Sequence, residues 1–598
     1  MVLNERTKYL IYAALVCTVF GLVLTRFAYI QLVHGDVYLL ESDRNRMREQ
    51  VIDPPRGLIY DRYGNLLVNN QPAYSVYVVP AELKKKPEVL QLLATALNAS
   101  GEDIQARIRR NSISPVQPVK IERQINFATL GYLKEHSLDL PGVLFGVESR
   151  REYPGGINAP HLFGYLGEIT ESELAARQGG EYRQGDLVGK KGLERRYEDI
   201  LYGTRGFHYL QVDALGREVG QIRELQPSDP IPGDNLYLSI DASLQQSIEV
   251  AMTGKRGGAA VLNCKNGEIL ALVSKPDYDP EIFAKPITPA VWNDLVNNPE
   301  HPLYDRMVQS LYPPGSTFKI VLALAGLETG LIDPRERVFC PGYFKFGRRI
   351  FKCHRRGGHG SVDLERAIEA SCDVYFYRMG LKVGLENWSA FASKFGFGQR
   401  TGIDLIGESA GLVPDADYFD QHYGKNRWTK GQLVNLAIGQ GDLLVTPLQM
   451  AYLAMTVANN GHAFRPHLRY IVENPVTHVK SYNEADSVQV TGIELRHYER
   501  VKAAMVQAVS GAFGTAHGAI VRGVTTAGKT GTAQNPHGDD HAWFIGFAPY
   551  EDPQVAWCVF VENGGHGSSA AAPVARLIVS LLLRQGKLIV PQPMPAAD

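Results

Sequence analysis

A serine is followed three residues later by a lysine in Ser316-Thr317-Phe318-Lys319, directly after the turn-forming run Tyr312-Pro313-Pro314-Gly315. The apolar run Phe318–Leu327 behind it predicts a helix. Ser316 then sits in a first turn, beside free backbone N–H groups and the positive end of the helix dipole. Lys319 shares its face one turn on. A desolvated lysine there can lose its proton near neutral pH and take the serine proton, which activates the serine for acyl transfer. In isolation, an N-capping serine and a solvated lysine would read the same way. A second motif, Ser371-Cys372-Asp373, follows the helical run Leu364–Ala370 and alone is no more than a capped loop. A third, Lys529-Thr530-Gly531-Thr532, lies among small and β-branched residues. These predict an edge strand that a substrate backbone can approach closely. Gly531 clears the path, while Lys529 and Thr530 offer charge and hydroxyl to a substrate carboxylate. The bland alternative is an edge strand protected by its lysine.

These motifs need a scaffold, and 598 residues supply more than one core. The formal net charge of -1 gives no global basic field and so no pointer to nucleic acid. Residues 1–8 form a short stub, expected in the cytoplasm because Arg6 and Lys8 flank the apolar stretch on that side. Tyr9–Ile30 is long enough to span a hydrocarbon core of about 30 Å as a single-pass anchor. A cleaved signal peptide is the alternative, but the stretch is long and Phe27-Ala28-Tyr29 is a poor cleavage site. The rest is then expected outside the inner membrane, in the periplasm of a Gram-negative-type cell.

Residues 31–234 read as one region. It opens with an amphipathic helix over 31–55, carrying Leu32, Leu39, Leu40 and Met47 and stopped by Pro54-Pro55. A strand, Gly turn and strand follow over Arg56–Leu67, then a helical stretch over about 80–140 and an alternating segment over 203–234. Residues 235–590 read as the second region. There 236–240 predicts a strand, 241–254 a helix, and 259–263 with 268–273 a hairpin around Lys265-Asn266-Gly267. Strands return at 525–534, 542–548 and 554–562, and a helix at 571–584. The fold class expected is α/β (α+β), an antiparallel sheet drawn from both ends of the region and flanked by helices. The Pro/Ala-rich tail 591–598 is expected to be mobile.

Six cysteines occur. Cys340, Cys353 and Cys372 cluster with His354 and His359 nearby. In an oxidising compartment a Cys340–Cys353 disulfide is one reading, and it leaves Cys372 free beside Ser371. A structural zinc held by Cys340, Cys353, His359 and Cys372 uses all three thiols and completes a tetrahedral set. It would also tie the 340–360 excursion to the Ser371–Asp373 loop. We expect zinc, with His354 as an alternative to His359.

Jointly, the three short motifs resemble the S-x-x-K, S-x-N/D and K-T-G set of penicillin-binding proteins and serine β-lactamases. Further segments resemble the transpeptidase domain of class B penicillin-binding proteins: Gly258–Leu262, Ile438-Gly439-Gln440-Gly441, Val445–Ala451, Ala458–Gly461 and His541–Pro549. Arg56–Leu67 and Gly192-Leu193-Glu194 look like the N-terminal pedestal of that class. The region before 235 is too short for a class A glycosyltransferase domain. Asp373 in place of the commoner Asn, together with the anchor, most resembles the cell-elongation members.

The resemblance implies a peptidoglycan D,D-transpeptidase that needs no cofactor for catalysis and is inhibited by β-lactams. Ser316 would attack the penultimate D-Ala carbonyl of a stem peptide with Lys319 as general base. Ser371 and Lys529 would relay a proton to the leaving nitrogen, and Asp373 would hold Lys319 or the substrate amide. Thr530, Gly531 and Thr532 would bind substrate, with the N–H groups of Ser316 and Thr532 forming the oxyanion hole. It also implies a SEDS-family glycosyltransferase and the elongation machinery as membrane partners. A D,D-carboxypeptidase, a β-lactamase and a β-lactam sensor share the chemistry. A pedestal acting purely as a scaffold for the glycosyltransferase is the non-enzymatic alternative. No Glu-x-x-Leu-Asn segment follows Ser371 to activate a deacylating water as in a β-lactamase.

Overall fold

The computed structural model describes residues 4–34, 47–84, 86–112, 115, 117–177, 182–212, 218–221, 227–425, 427–490 and 492–590. It forms two compact units, residues 1–55 with 203–232, and residues 56–202 with 233–598.

In the first unit a helix covers Glu5–Ala28 and closes in a π turn, Tyr29–Val33. Leucines, valines and aromatics lie exposed all round it, as expected of a segment whose solvent is not water. The helix expected over 31–55 is corrected: Met47–Ile52 is a strand, antiparallel to Gly206–Val212, which pairs in turn with Glu218–Gln221. Residues 35–46 of that expectation lie outside the described residues, as does the tail 591–598. A partner strand remote in the sequence overrides the weak local periodicity here.

Near the start of the second unit the long strand Leu66–Val78 pairs antiparallel with Val143–Glu152 and Val119–Ile125. The latter strand interrupts the expected helical stretch over 80–140; the flanking helices are Pro87–Ala96, Gly101–Asn111 and Phe127–Glu135. They bury Val89, Leu93, Ile104 and Leu133 against Val76, Val78 and Ile121. Beside this core the buried Arg56 bonds Glu194 (2.6 Å) and Glu198 (2.5 Å), and Arg151 bonds Glu194 (2.7 Å). The strand Asn235–Leu238 runs parallel to Ile59–Tyr60 and so joins this part to the rest of the unit.

The main sheet has five antiparallel strands in the order Ile269–Lys275, Gly257–Asn263, Val555–Val561, His541–Ala548 and Ala527–Ala533. Side chains alternate between its faces. Trp557, Val559 and Val561 meet the helices Ala242–Ala251 and Ala572–Arg584, while Cys558 and Phe560 meet the core containing the helix Pro447–Ala458. Ala527–Ala533 is the edge strand opposite Ile269–Lys275, and among the described residues no strand pairs with its outer side.

Candidate active site

The nucleophile turn is fixed by close backbone packing. Pro314 and Gly315 lead into a 3-10 turn, Gly315–Phe318, continued by the helix Lys319–Glu328. Gly315 has φ +58°, and a Cβ there would stand 2.7 Å from the Thr532 carbonyl oxygen. Its N–H donates to the Gly439 carbonyl at 2.8 Å. Phe318 is buried against Trp388 and Phe397 and pins the turn from below. The edge strand lies directly on this turn: a Cβ on Gly531 would meet the Pro314 oxygen and Thr317 Cγ2, each at 2.9 Å. Ser316 is half-buried, and among the described residues its hydroxyl makes no hydrogen bond.

Lys319 is wholly buried. Its Nζ donates to Asp373 Oδ1 (2.7 Å), the Ser371 carbonyl (2.9 Å) and Ser371 Oγ (3.3 Å). Ser371 adopts φ +55°, a left-handed conformation uncommon outside glycine, and one that turns the chain sharply before the helix Asp373–Lys394. Lys529 reaches the same hydroxyl from the edge strand, Nζ to Oγ 2.8 Å. Ser371 Oγ therefore lies between two lysine nitrogens. When both lysines donate, its own proton must point elsewhere. Burial, and then the neighbouring Lys319 ammonium, hold Lys529 well below the ordinary lysine value, with Asp373 acting in the opposite sense. Burial opposes ionisation of Asp373 as well, but Lys319 and the hydrogen bond from His354 hold its carboxyl below the usual range.

Thr530 is buried, and its hydroxyl pairs with that of Thr515 at 2.7 Å. Thr532 is half-buried at the Gly315 contact. The structure thus brings Ser316, Lys319, Ser371, Asp373, Lys529, Thr530, Gly531 and Thr532 together at the edge strand. Two contributors carried no assigned role in the sequence, Thr515 and Gly439; His354, offered there only as an alternative zinc ligand, donates its backbone N–H to Asp373 Oδ2 at 2.8 Å. Gly439 lay in a recognisable segment, whereas Thr515 belongs to none.

The ligand atoms of Cys340, Cys353, His359 and Cys372 lie within 4.8 Å of one another. His359 Nδ1 is 3.6 Å from Cys340 Sγ and 3.5 Å from Cys353 Sγ. Such separations match the edges of a tetrahedron with bonds of about 2.0–2.3 Å. All six cysteines are free, so the Cys340–Cys353 disulfide is absent. The hydrogen bond from Cys372 is the main cause that drives the Cys353 thiol strongly down, while burial pushes Cys340 up and the same hydrogen bond pushes Cys372 up. His354 faces Asp373 as well as Cys353. Between Cys340 and Cys353 runs the hairpin Tyr343–Phe346 with Arg349–Lys352. Cys372 itself separates Ser371 from Asp373.

Comparison with known proteins gives a consistent picture. Residues 257–580 match the family described as the penicillin binding protein transpeptidase domain, and residues 51–238 the penicillin-binding protein dimerisation domain. The peptidoglycan D,D-transpeptidase MrdA of Acinetobacter baumannii is 34% identical over 92% of this chain and 83% of its own length. Among solved structures, the complex of PBP2 and MreC from Helicobacter pylori aligns with a TM-score of 0.80 at 29% identity, covering 91% of this chain and 100% of that one. Pseudomonas aeruginosa PBP2 in complex with WCK 5153 aligns with a TM-score of 0.68 at 32% identity, covering 92% and 100%.

Proposed function

The chain belongs to the class B penicillin-binding proteins, and from that premise we propose a peptidoglycan D,D-transpeptidase of the cell-elongation type that works through an acyl-enzyme on Ser316. The observation that carries this reading is the Ser371 hydroxyl held between Lys319 and Lys529, beside the Ser316 turn and under an open strand edge.

A stem peptide ending in D-Ala-D-Ala adds to the free side of Ala527–Ala533 as a further strand. Its terminal carboxylate meets Thr530 and Thr532, and its penultimate carbonyl faces Ser316. Lys319, once it has given up its own proton, accepts the Ser316 proton and passes it by way of the Ser371 hydroxyl to the departing D-Ala nitrogen, with Lys529 steadying the relay. The N–H groups of Ser316 and Thr532 hold the developing oxyanion. An amine from a neighbouring stem peptide then takes the acyl group. A β-lactam follows the first half of this path and leaves Ser316 acylated. No catalytic cofactor is needed.

Cys340, Cys353, His359 and Cys372 fit a structural zinc, three soft sulfur ligands that are buried and one half-buried imidazole. Zinc there would supply cross-linking rather than chemistry, since four protein ligands leave no open position. The helix Glu5–Ala28 is read as a single-pass inner-membrane anchor with a cytoplasmic N-terminus. Residues 31–234 are read as the pedestal and 235–590 as the periplasmic catalytic domain. The relative solved with MreC supports placement in the elongation machinery, and the membrane partner proposed is a SEDS-family glycosyltransferase.

The test is labelling of the full chain with a fluorescent penicillin, followed by peptide mass mapping. A stable adduct on Ser316, lost in Ser316→Ala, is expected. Rapid release of the label would instead favour a β-lactamase, and an adduct elsewhere would refute the assignment.

A further inference from the structure

A cavity of about 550 Å³ has a lining that includes Arg348, Arg349, Tyr423, Gln432, Asn435 and Asp442. One wall is the hairpin tip held between Cys340 and Cys353. The opposite wall is the helix Lys430–Leu436 and the loop that follows it. Both walls are fastened to catalytic elements. On the loop side, Gly441 lines the cavity two residues beyond Gly439, whose carbonyl accepts the N–H of Gly315 in the nucleophile turn. On the hairpin side, Phe351 packs on Tyr377, one turn beyond Asp373, and the Tyr377 hydroxyl donates to the Lys352 carbonyl at 2.9 Å.

The charges in this cavity do not neutralise one another. Among the described residues the guanidinium of neither Arg348 nor Arg349 has an ion pair or hydrogen bond; that of Arg349 only covers the Phe351 ring, at 4.8 Å. The carboxylate of Asp442 accepts from the Tyr423 hydroxyl, 3.1 Å to each oxygen, and from neither arginine. Two guanidinium forks facing a concave, mixed polar and aromatic space form a receptor for a carboxylate. The donor peptide does not need this space, because its own terminal carboxylate is met on the edge strand by Thr530 and Thr532.

We propose that this cavity is the acceptor subsite, in which Arg348 and Arg349 bind a free carboxylate of the stem peptide whose amine attacks the acyl-enzyme. The proposal rests on the transpeptidase reading above and deepens it. In the step concerned, the acceptor nitrogen forms a bond to the acyl carbon, the bond from that carbon to Ser316 Oγ breaks, and the proton lost by the amine returns to Ser316. Water entering instead gives a hydrolysed peptide. Carboxylate capture therefore acts on the partition between transfer and hydrolysis and leaves acylation unchanged.

The test uses the full chain in lipid nanodiscs, with a synthetic stem peptide ending in D-Ala-D-Ala as donor. The acceptor is a second stem peptide, with its carboxylates either free or amidated. The wild-type protein should transfer to the free-carboxylate acceptor about tenfold faster than to the amide, the size expected for charge-assisted contacts in a partly solvated site. Arg348→Ala with Arg349→Ala should erase that preference and raise the hydrolysed fraction. D-Ala release and penicillin labelling should stay within about twofold, the scatter of a surface change that touches no reacting group. Arg348→Lys with Arg349→Lys should restore part of the preference, and Lys345→Ala, on the same hairpin, should keep it whole. An equal preference in the wild type and the double alanine variant, or none in the wild type, would overturn the proposal. Absence of penicillin labelling in the wild type would overturn the transpeptidase reading itself, and this one with it.

Discussion

Lys319 Nζ and Asp373 Oδ1 stand 2.7 Å apart, with the lysine wholly cut off from solvent. The carboxylate is held from the other side by the N–H of His354, so the pair joins the nucleophile helix to the chain that leaves the cysteine cluster. Asp373→Ala leaves a buried ammonium without its partner and should cost about 3–5 kcal/mol in chemical denaturation. Asp373→Asn keeps an oxygen acceptor and should cost less than the alanine. Equal losses for the two would mean that charge and hydrogen bond at this position are immaterial.

Lys529 carries a signature in pH. Its folded value lies well below the ordinary lysine value, through burial and the adjacent Lys319. Between that lowered value and about 10.4 the unfolded chain binds more protons than the folded one, so stability rises with pH across the window. Lys529→Met should remove this slope while reducing penicillin acylation by about a hundredfold or more, the share of a proton-relaying group. A variant with the wild-type slope would place the titration elsewhere.

Gly439 has φ +70°, and a Cβ there would come within 2.2 Å of the Gly315 carbonyl oxygen. Gly439→Ala must displace the nucleophile turn. Acylation should fall by about a hundredfold, the scale of an ångström-sized misplacement. Stopped-flow measurement of penicillin labelling decides it, and an unchanged rate would show that the turn relaxes at no cost.

Elemental analysis of the purified chain should return about one zinc per molecule. Cys353→Ser should lose the metal, lower the melting temperature and slow acylation, because Ser371 and Asp373 flank the ligand Cys372. A metal-free, fully active protein with normal melting would remove zinc from the account.

Legibility in the sequence followed the range of the interactions. The strand at Ala527–Ala533 could be read from its small and β-branched residues, and the helix after Ser316 from its apolar run, because both signals are local. The strand Met47–Ile52 could not, since its partner Gly206–Val212 is remote and its own pattern mimics a helix. The site divides in the same way. Ser316 with Lys319, and Lys529 with Thr530, announce themselves by spacing within one turn or one strand. Thr515 and Arg348 reach the edge strand and the cavity from elements without a motif, and only tertiary packing assigns them a place. The left-handed backbone at Ser371 was equally hidden, because nothing in a Ser-Cys-Asp tripeptide demands it.

The main sheet ends at a strand that, among the described residues, pairs with no further strand on its outer side, and the proposed chemistry makes substrate and inhibitor competitors for the same place beside it. Backbone amides cannot tell one extended chain from another. Any substitution that sealed the strand against a drug would seal it against the polymer being cross-linked. Resistance that spares growth therefore has to arise away from the strand, in how fast the nucleophile turn acylates or in the shape of the surrounding walls. The strand at the margin of the sheet is thereby the part least free to vary.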